Sequence, residues 1–312
     1  MAATVAATYA AKNKAKVLMI EKMAVFGGTS AISNATFAVV GSDLQIQQNI
    51  KDDWKIFFDD MEARAAGMNN PELHEVIARR SVDAYNFIKS EGATFENTLS
   101  KVGGQSIPRV VSPVTNGEIG IMGPLRKSFL EKYKGTARTR CKADQIIFDE
   151  NARAIGVQVR TNYRFDPFLY SDDLENTGGT VRYYRATKAI ICGTGGYCND
   201  KIMRKNEFPK YKDLVSTQQI GATMSGYKLL LEAGGNMVHS SLVQHSLPLG
   251  AILSAKGFMI DPNTGRRFVD ELGGGSAVRY NVNVPDLVAK FIQTSGGKYP
   301  LAIFDTRTAA TL

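Results

Sequence analysis

Close-spaced cysteines are missing from this sequence, which has only Cys141, Cys192 and Cys198 in 312 residues. An odd, sparse set argues against a disulfide framework or a structural zinc site. No Cys-x-x-Cys-His occurs, so this stretch attaches no c-type haem. The three histidines, His74, His239 and His245, are too few and too dispersed for a metal centre. Long apolar runs are also lacking. None approaches the roughly 20 residues that cross a bilayer, and the first residues lack the charged, apolar and small-residue order of a secretory signal. No Lys/Arg block is interleaved with aromatics, which argues against a nucleic-acid surface. The net charge of +8 is instead scattered and reads as a mild bias toward anionic small molecules.

What is present is a globular composition, 44% apolar and 22% charged, long enough for one large domain or two ordinary ones. Residues 2–15, rich in Ala, Lys and Thr, predict a helix. Lys16-Val17-Leu18-Met19-Ile20 predicts a buried parallel strand, ended by the acid Glu21. Helix followed by strand is the second half of a βαβ unit. Helical spacing returns over 50–93, punctuated at Asn70-Pro71. The Gly, Pro and Ser content of 94–125 predicts irregular structure, and 124–134 is again helical. Strands are expected near 144–148 and 154–160, joined by the turn Asp149-Glu150-Asn151. The polar stretch 163–180 reads as a surface insertion. Ala189-Ile190-Ile191-Cys192 predicts another buried strand, and Gly221 to Ala233 a helix capped at Gly234-Gly235. Further on come a helix near 286–293 and the apolar run Leu301-Ala302-Ile303-Phe304.

Two places carry chemistry. An acid at the end of a second strand accepts hydrogen bonds from an adenosine ribose in dinucleotide-binding folds. Glu21-Lys22 stands in that place, followed by Gly27-Gly28-Thr29-Ser30. The alternative reading is an ordinary surface glutamate and a flexible turn. The usual glycine-rich partner lies about 20 residues earlier, which here would precede Met1. The second place is Gly193-Thr194-Gly195-Gly196-Tyr197, where a strand running into glycines lets the backbone pass close to a bulky ligand.

In order, these motifs continue with Gly221-Ala222-Thr223-x2-Gly226 and Gly265-Arg266-Arg267-Phe268-Val269-Asp270-Glu271. Together they resemble the fumarate reductase and succinate dehydrogenase flavoprotein family, in its soluble flavocytochrome c-like branch. The similarity runs from about Ala2 to about Phe304, and Gly103-Gly104-Gln105-Ser106-x2-Arg109 is similar to a loop of the soluble branch. The resemblance implies an α/β fold: an incomplete Rossmann-like FAD-binding domain, residues 1–208, with an inserted α+β capping domain, residues 209–312. It implies that Glu21, with Lys22 beside it, holds the adenosine ribose, and that Gly27, Gly28, Thr29 and Ser30 line the pyrophosphate and flavin. Ala143 would lie at the adenine, and Thr194, Gly195 and Gly196 against the cofactor. The chain would then be an internal fragment, lacking one cofactor segment before Met1 and another after Asp305.

The chemistry implied is FAD-dependent reduction of the C=C bond of a small unsaturated carboxylate. A small anionic substrate is expected, with an electron-donor protein or a haem or FMN domain outside this stretch, in the periplasm or the cytoplasm. The family's acid, an arginine shortly after the Phe-Val-x-Glu motif, is displaced here. Gly273-Gly274-Gly275 stands at its place and Arg279 follows, either as the relocated acid or as a solvated loop charge. His245, with Gln244 beside it, lies one residue out of register from a substrate-carboxylate histidine, and a structural histidine is the alternative. Arg266 and Arg267 read as turn residues, and Tyr183-Tyr184 as strand packing. Two rivals remain open: a 3-oxosteroid dehydrogenase-like desaturase, and a non-catalytic remnant or binding module.

Overall fold

A computed structural model describes residues 1–65, 67–102, 104–209, 212, 216–242, 258–268, 291–292, 294–296 and 298–303. The chain forms two compact units. The first comprises Met1–Phe37, Ala84–Asn97 and Val111–Leu242; the second comprises Ala38–Asp83, Thr98–Val110 and Val243–Leu312. The expected Arg279, His245 and Gln244 lie outside the described residues.

Helix α1 (Ala2–Lys12) buries Thr4, Ala7, Thr8 and Ala11, one stripe at helical spacing. Small side chains on that stripe bring it close to its neighbours. Ala7 and Ala11 pack with Met19 and Phe129, flanked by Val17, Phe26, Tyr133 and Ala137. Strand β1 (Leu18–Ile20) follows and pairs in parallel with β5 (Thr136–Arg138), in the register Leu18 to Thr136 and Ile20 to Arg138. This parallel pair with its preceding helix is the Rossmann-like element that the sequence predicts.

Between these strands run α2 (Gly28–Ile32), β2 (Phe37–Ala38), α3 (Asp43–Gln47), α4 (Trp54–Ala65), α5 (Pro71–Ser90), β3 (Phe95–Ser100) and β4 (Val110–Pro113). Pro71 starts α5, as a proline can where no N–H partner is required. Strands β2, β4 and β3 form a sheet in that order. The stretch 94–125 is therefore more regular than its Gly, Pro and Ser content predicts. It holds two strands and a widened helical turn, Glu118–Met122, which continues as α6 (Gly123–Lys127) and a second such turn, Ser128–Lys132. Tertiary packing overrides local composition there: Val111, Ile121, Leu125 and Phe129 are all fully buried.

The first unit continues as an antiparallel sheet, β6 (Cys141–Phe148), β7 (Ala154–Thr161) and β8 (Thr180–Arg185), in that order. The turn after β6 closes where the sequence expects it, with the Asp149 carboxylate accepting the N–H groups of Asn151 and Arg153. The insertion between β7 and β8 carries α7 (Asp172–Glu175). Residues 189–192 form no ladder among the described residues and Ile191 is exposed, so the buried strand expected there is not observed. An apolar run reports extended, apolar backbone; it does not by itself supply a pairing partner. Beyond it lie α8 (Lys201–Glu207) and α9 (Ser225–Glu232); α9 ends before Gly234, whose φ is 86°.

In the second unit, Arg109 is fully buried against two acids. Its Nε and Nη2 donate to Asp52 at 2.9 Å each, its Nη1 donates to Asp60 at 2.5 Å, and its guanidinium lies over the Phe57 ring. That geometry makes Arg109 an internal clamp rather than a receptor for an external anion. Strands β9 (Phe258–Ile260) and β10 (Leu301–Ile303) pair antiparallel, and Asp261–Arg266 form the turn after β9. No helix of the described residues is long and apolar enough to cross a membrane.

Candidate functional site

The end of β1 is where the first unit gathers its sequence motifs. Glu21 N–H donates to the Arg138 carbonyl and Cys141 N–H donates to the Glu21 carbonyl, both at 2.9 Å. Arg140 N–H reaches the Met23 carbonyl at the same distance. The acid at the strand end is thereby sewn to the start of β6, where Ala143 stands opposite Val159. Glu21 itself is half-buried, and its carboxylate accepts the Met23 N–H at 2.8 Å. Burial pushes its pKa up, and the Met23 N–H and the Lys22 charge only partly offset this.

Lys22 turns the other way. Its ammonium donates to Thr223 Oγ1 at 2.7 Å and to Ser225 Oγ at 3.3 Å, and lies 5.1 Å from the centre of the Phe165 ring. Burial lowers its pKa, opposed by the carboxylates of Asp173 and Asp172. Lys22 is thus an internal tie to the segment before α9.

Gly27 and Gly28 form a turn with φ of 125° and 54°, conformations that L side chains rarely adopt. Thr29 Oγ1 accepts the Gln219 N–H at 3.2 Å, and Ser30 Oγ accepts from the Met1 amine at 2.9 Å. On the far side, Gly193 packs on the first turn of α1: a Cβ there would come within 2.7 Å of Ala3. Thr194 packs against Gly226 of α9, where no side chain would fit.

The same residues leave room for a bulky ligand. Gly28 and Gly195, the latter with φ of 81°, have nothing within 4 Å of the place a Cβ would take. Gln218 Oε1 is a buried acceptor with no hydrogen-bond partner, and the Gln218 side chain stands beside Gly196. Open room at two glycines, a desolvated acid and an orphaned acceptor are what a cradle for a large polar ligand requires. A separate cavity of about 140 Å³, bounded by Phe165, Tyr170, Asp173, Asp200, Ile220 and Thr223, is too small for a dinucleotide. No group of three or more metal-ligating side chains occurs among the described residues.

The motifs and the family resemblance they carry point to Glu21, Lys22, Gly27, Gly28, Thr29, Ser30, Ala143, Thr194, Gly195 and Gly196. All belong to the first unit, and backbone contacts join Glu21 to the start of β6. Gln218, Thr223 and Asp173 were missed as site residues. Thr223 is the last residue of the Gly-Ala-Thr motif and Gln218 lies three residues before it, a signal that could have found them; Asp173 lies in an insertion with no motif.

The model of the FAD binding domain family matches residues 1–298. The acrylate reductase flavoprotein subunit of Shewanella woodyi (strain ATCC 51908 / MS32) is 28% identical over 286 residues, covering 87% of this chain and 54% of that protein. Among solved structures, the open conformation of a flavocytochrome c3 fumarate reductase superposes with a TM-score of 0.73 at 21% identity, covering 99% of this chain and 52% of that one. The 3-ketosteroid-Δ4-(5α)-dehydrogenase of Rhodococcus jostii RHA1 does so with 0.76 at 16% identity, covering 99% and 65%. At those identities the two structures speak to the fold alone. The chain spans about half the length of the curated relatives it matches.

Proposed function

This chain belongs to the FAD binding domain family, and from that premise we propose that it serves an oxidoreductase reducing the C=C bond of a small unsaturated carboxylate, fumarate- or acrylate-like in class. The observation that carries this reading is the half-buried Glu21, at the end of a parallel strand and hydrogen-bonded through its backbone to the start of β6. When bound, FAD supplies a hydride to one carbon of the double bond.

The chain's own residues bind and orient. Glu21 accepts hydrogen bonds from the adenosine ribose, while Lys22 pins the strand end to Thr223. Gly27, Gly28, Thr29 and Ser30 receive the pyrophosphate and flavin, Ala143 the adenine, and Thr194, Gly195 and Gly196 the middle of the cofactor. Residues 1–208 supply the cofactor domain and 209–312 the cap. His245 and Gln244 hold the substrate carboxylate, and Arg279 delivers the proton to the second carbon. That role requires a setting in which the guanidinium can lose and regain a proton. An electron-donor protein, or a haem or FMN domain, supplies reducing equivalents.

Titration of the purified chain with FAD, followed by flavin fluorescence, tests the cofactor reading; saturable binding is expected and none would sink it. Turnover is tested with reduced dye against acrylate, fumarate and a ketosteroid. Loss of carboxylate reduction in Arg279→Ala with FAD retained supports the acid, whereas undiminished turnover removes it. Gly273-Gly274-Gly275, standing where the family's acid is expected, favours a second reading as a steroid desaturase. Dye reduction with the ketosteroid alone would establish that one.

A further inference from the structure

We propose that Asp173 is a positioning residue for the adenosine half of the cofactor site, holding together the lysine that follows Glu21 and the lysine that precedes Ala143. The inference rests on the FAD reading above.

Two adjacent acids in the insertion behave differently. Asp172 folds the insertion on itself: its carboxylate accepts from the Tyr163 hydroxyl, from the Asp166 N–H at 2.9 Å and from Asn176 Nδ2 at 2.7 Å. Neither oxygen of Asp173 has a hydrogen-bond partner, although the side chain is only 10% exposed. A buried carboxylate without donors is costly, so it persists where something else compensates its charge. Two ammonium groups do. Lys142 Nζ lies 3.8 Å and Lys22 Nζ 4.0 Å from Asp173 Oδ1.

Both cations are already fixed by shorter bonds, Lys22 to Thr223 and Lys142 to Asp144, each at 2.7 Å. Asp173 therefore sits between two anchored charges rather than recruiting loose ones, and at such distances in a poorly solvated site the attraction is substantial. The insertion is braced in turn. Arg160 donates to Asp144 at 2.8 and 3.0 Å and to the Gly178 carbonyl at 3.1 Å. Lys22 and Lys142 are the sequence neighbours of Glu21 and Ala143, the residues assigned to ribose and adenine. One carboxylate thus fixes, through side chains, the same strand ends that the Cys141 N–H to Glu21 carbonyl bond fixes through the backbone. Without it, Lys142 would keep Asp144, but Lys22 would lose the carboxylate that lies 4.0 Å from its ammonium.

The test uses the full chain with FAD and with ADP, which carries the adenosine half alone. Asp173→Asn keeps the shape and removes the charge. It is expected to weaken FAD and ADP by the same factor, about tenfold, with Asp173→Glu recovering part of the loss. Asp172→Asn, which strikes the insertion's own fold, is expected to lower the melting temperature more than Asp173→Asn does. Wild-type FAD affinity in Asp173→Asn would overturn the inference, as would weaker FAD binding with ADP unaffected. If Asp173→Asn does not fold, Asp173→Asn combined with Lys142→Met removes the facing ammonium as well and carries the same two-ligand readout. Failure of the wild-type chain to bind either ligand would instead bring down the FAD reading itself.

Discussion

Glu91 and Glu21 belong to the same unit, yet the regions around them are built to opposite ends. Glu91 is buried at the end of α5 and collects four donors, Lys12 of α1 at 2.9 Å and, from the turn Ser128–Lys132 and its end, Tyr133 at 2.8 Å, Lys132 at 3.1 Å and the Ser128 hydroxyl. Burial alone would raise its pKa, but those hydrogen bonds outweigh it and hold the carboxyl at about 2. Glu21 receives the Met23 N–H and is left with a raised pKa. An acid that fastens a fold is satisfied within the fold, whereas Glu21 is left short of donors, as the proposed ribose-binding role requires.

The contrast is broken most severely at Glu91. Glu91→Gln should cost about 2 kcal/mol of folding stability, because an amide replaces a buried carboxylate and turns an NH2 group toward donors that it had accepted. Urea unfolding measures this, and an unchanged midpoint would show that the Glu91 region is not what holds α1 and α5 together. Leu125→Ala, at a fully buried side chain in the neighbouring cluster, should cost a comparable 2–5 kcal/mol, roughly, through the cavity it leaves.

Acid sharpens the same comparison. Glu91 has a depressed pKa, so its contribution is present above the ordinary value of 4.5 and is lost as pH falls toward about 2. Glu21 has a raised pKa, so its contribution to folding is present below the ordinary value and is lost as pH rises through the folded one. Stability measured from pH 5 down to 2 should therefore fall in the wild type and fall less in Glu91→Gln. FAD affinity should move oppositely to Glu21's folding term, dropping on acidification from a pH above the ordinary glutamate range. Glu21→Gln should weaken FAD about tenfold while leaving the melting temperature unchanged or slightly higher. The smallest effect is expected at Gly195→Ala: about 1 kcal/mol of strain from its positive φ, with weaker FAD binding because the methyl enters open room.

The parts legible in the sequence are those in which local pattern and tertiary role agree. Val17 to Glu21 reads as a strand ending in an acid, and β1 ends at Ile20 with Glu21 next. The hairpin near 144–160 and its Asp149 turn were legible through alternation and turn chemistry. Arg266 closes the turn after β9, in keeping with its reading as a turn residue, whereas Arg267 bridges to Ile260 beside it. The strand expected at 189–192 was not found, because an apolar run carries no information about a partner. Strands β3 and β4 were hidden in a stretch whose glycines and prolines outweigh its burial signal. Asp173 was illegible for a different reason. Its meaning depends on lysines 31 and 151 positions away, at 3.8 and 4.0 Å in space, and no period or motif connects them.

At one point strand β6 carries one residue more than the facing stretch of β7. Ala143 stands opposite Val159 and Gln145 opposite Gln158, which leaves Asp144 as the bulge. If Asp144 were deleted, those two pairs would become contiguous, and the ladder would keep only the irregularity between Ile147 and Phe148, where Ile155 of β7 is the extra residue. What would vanish is the carboxylate that ties Lys142 to Arg160. At this position, then, the length of the chain encodes a charge rather than a fold: a shorter gene would still spell the sheet, but not the tether that steadies its edge.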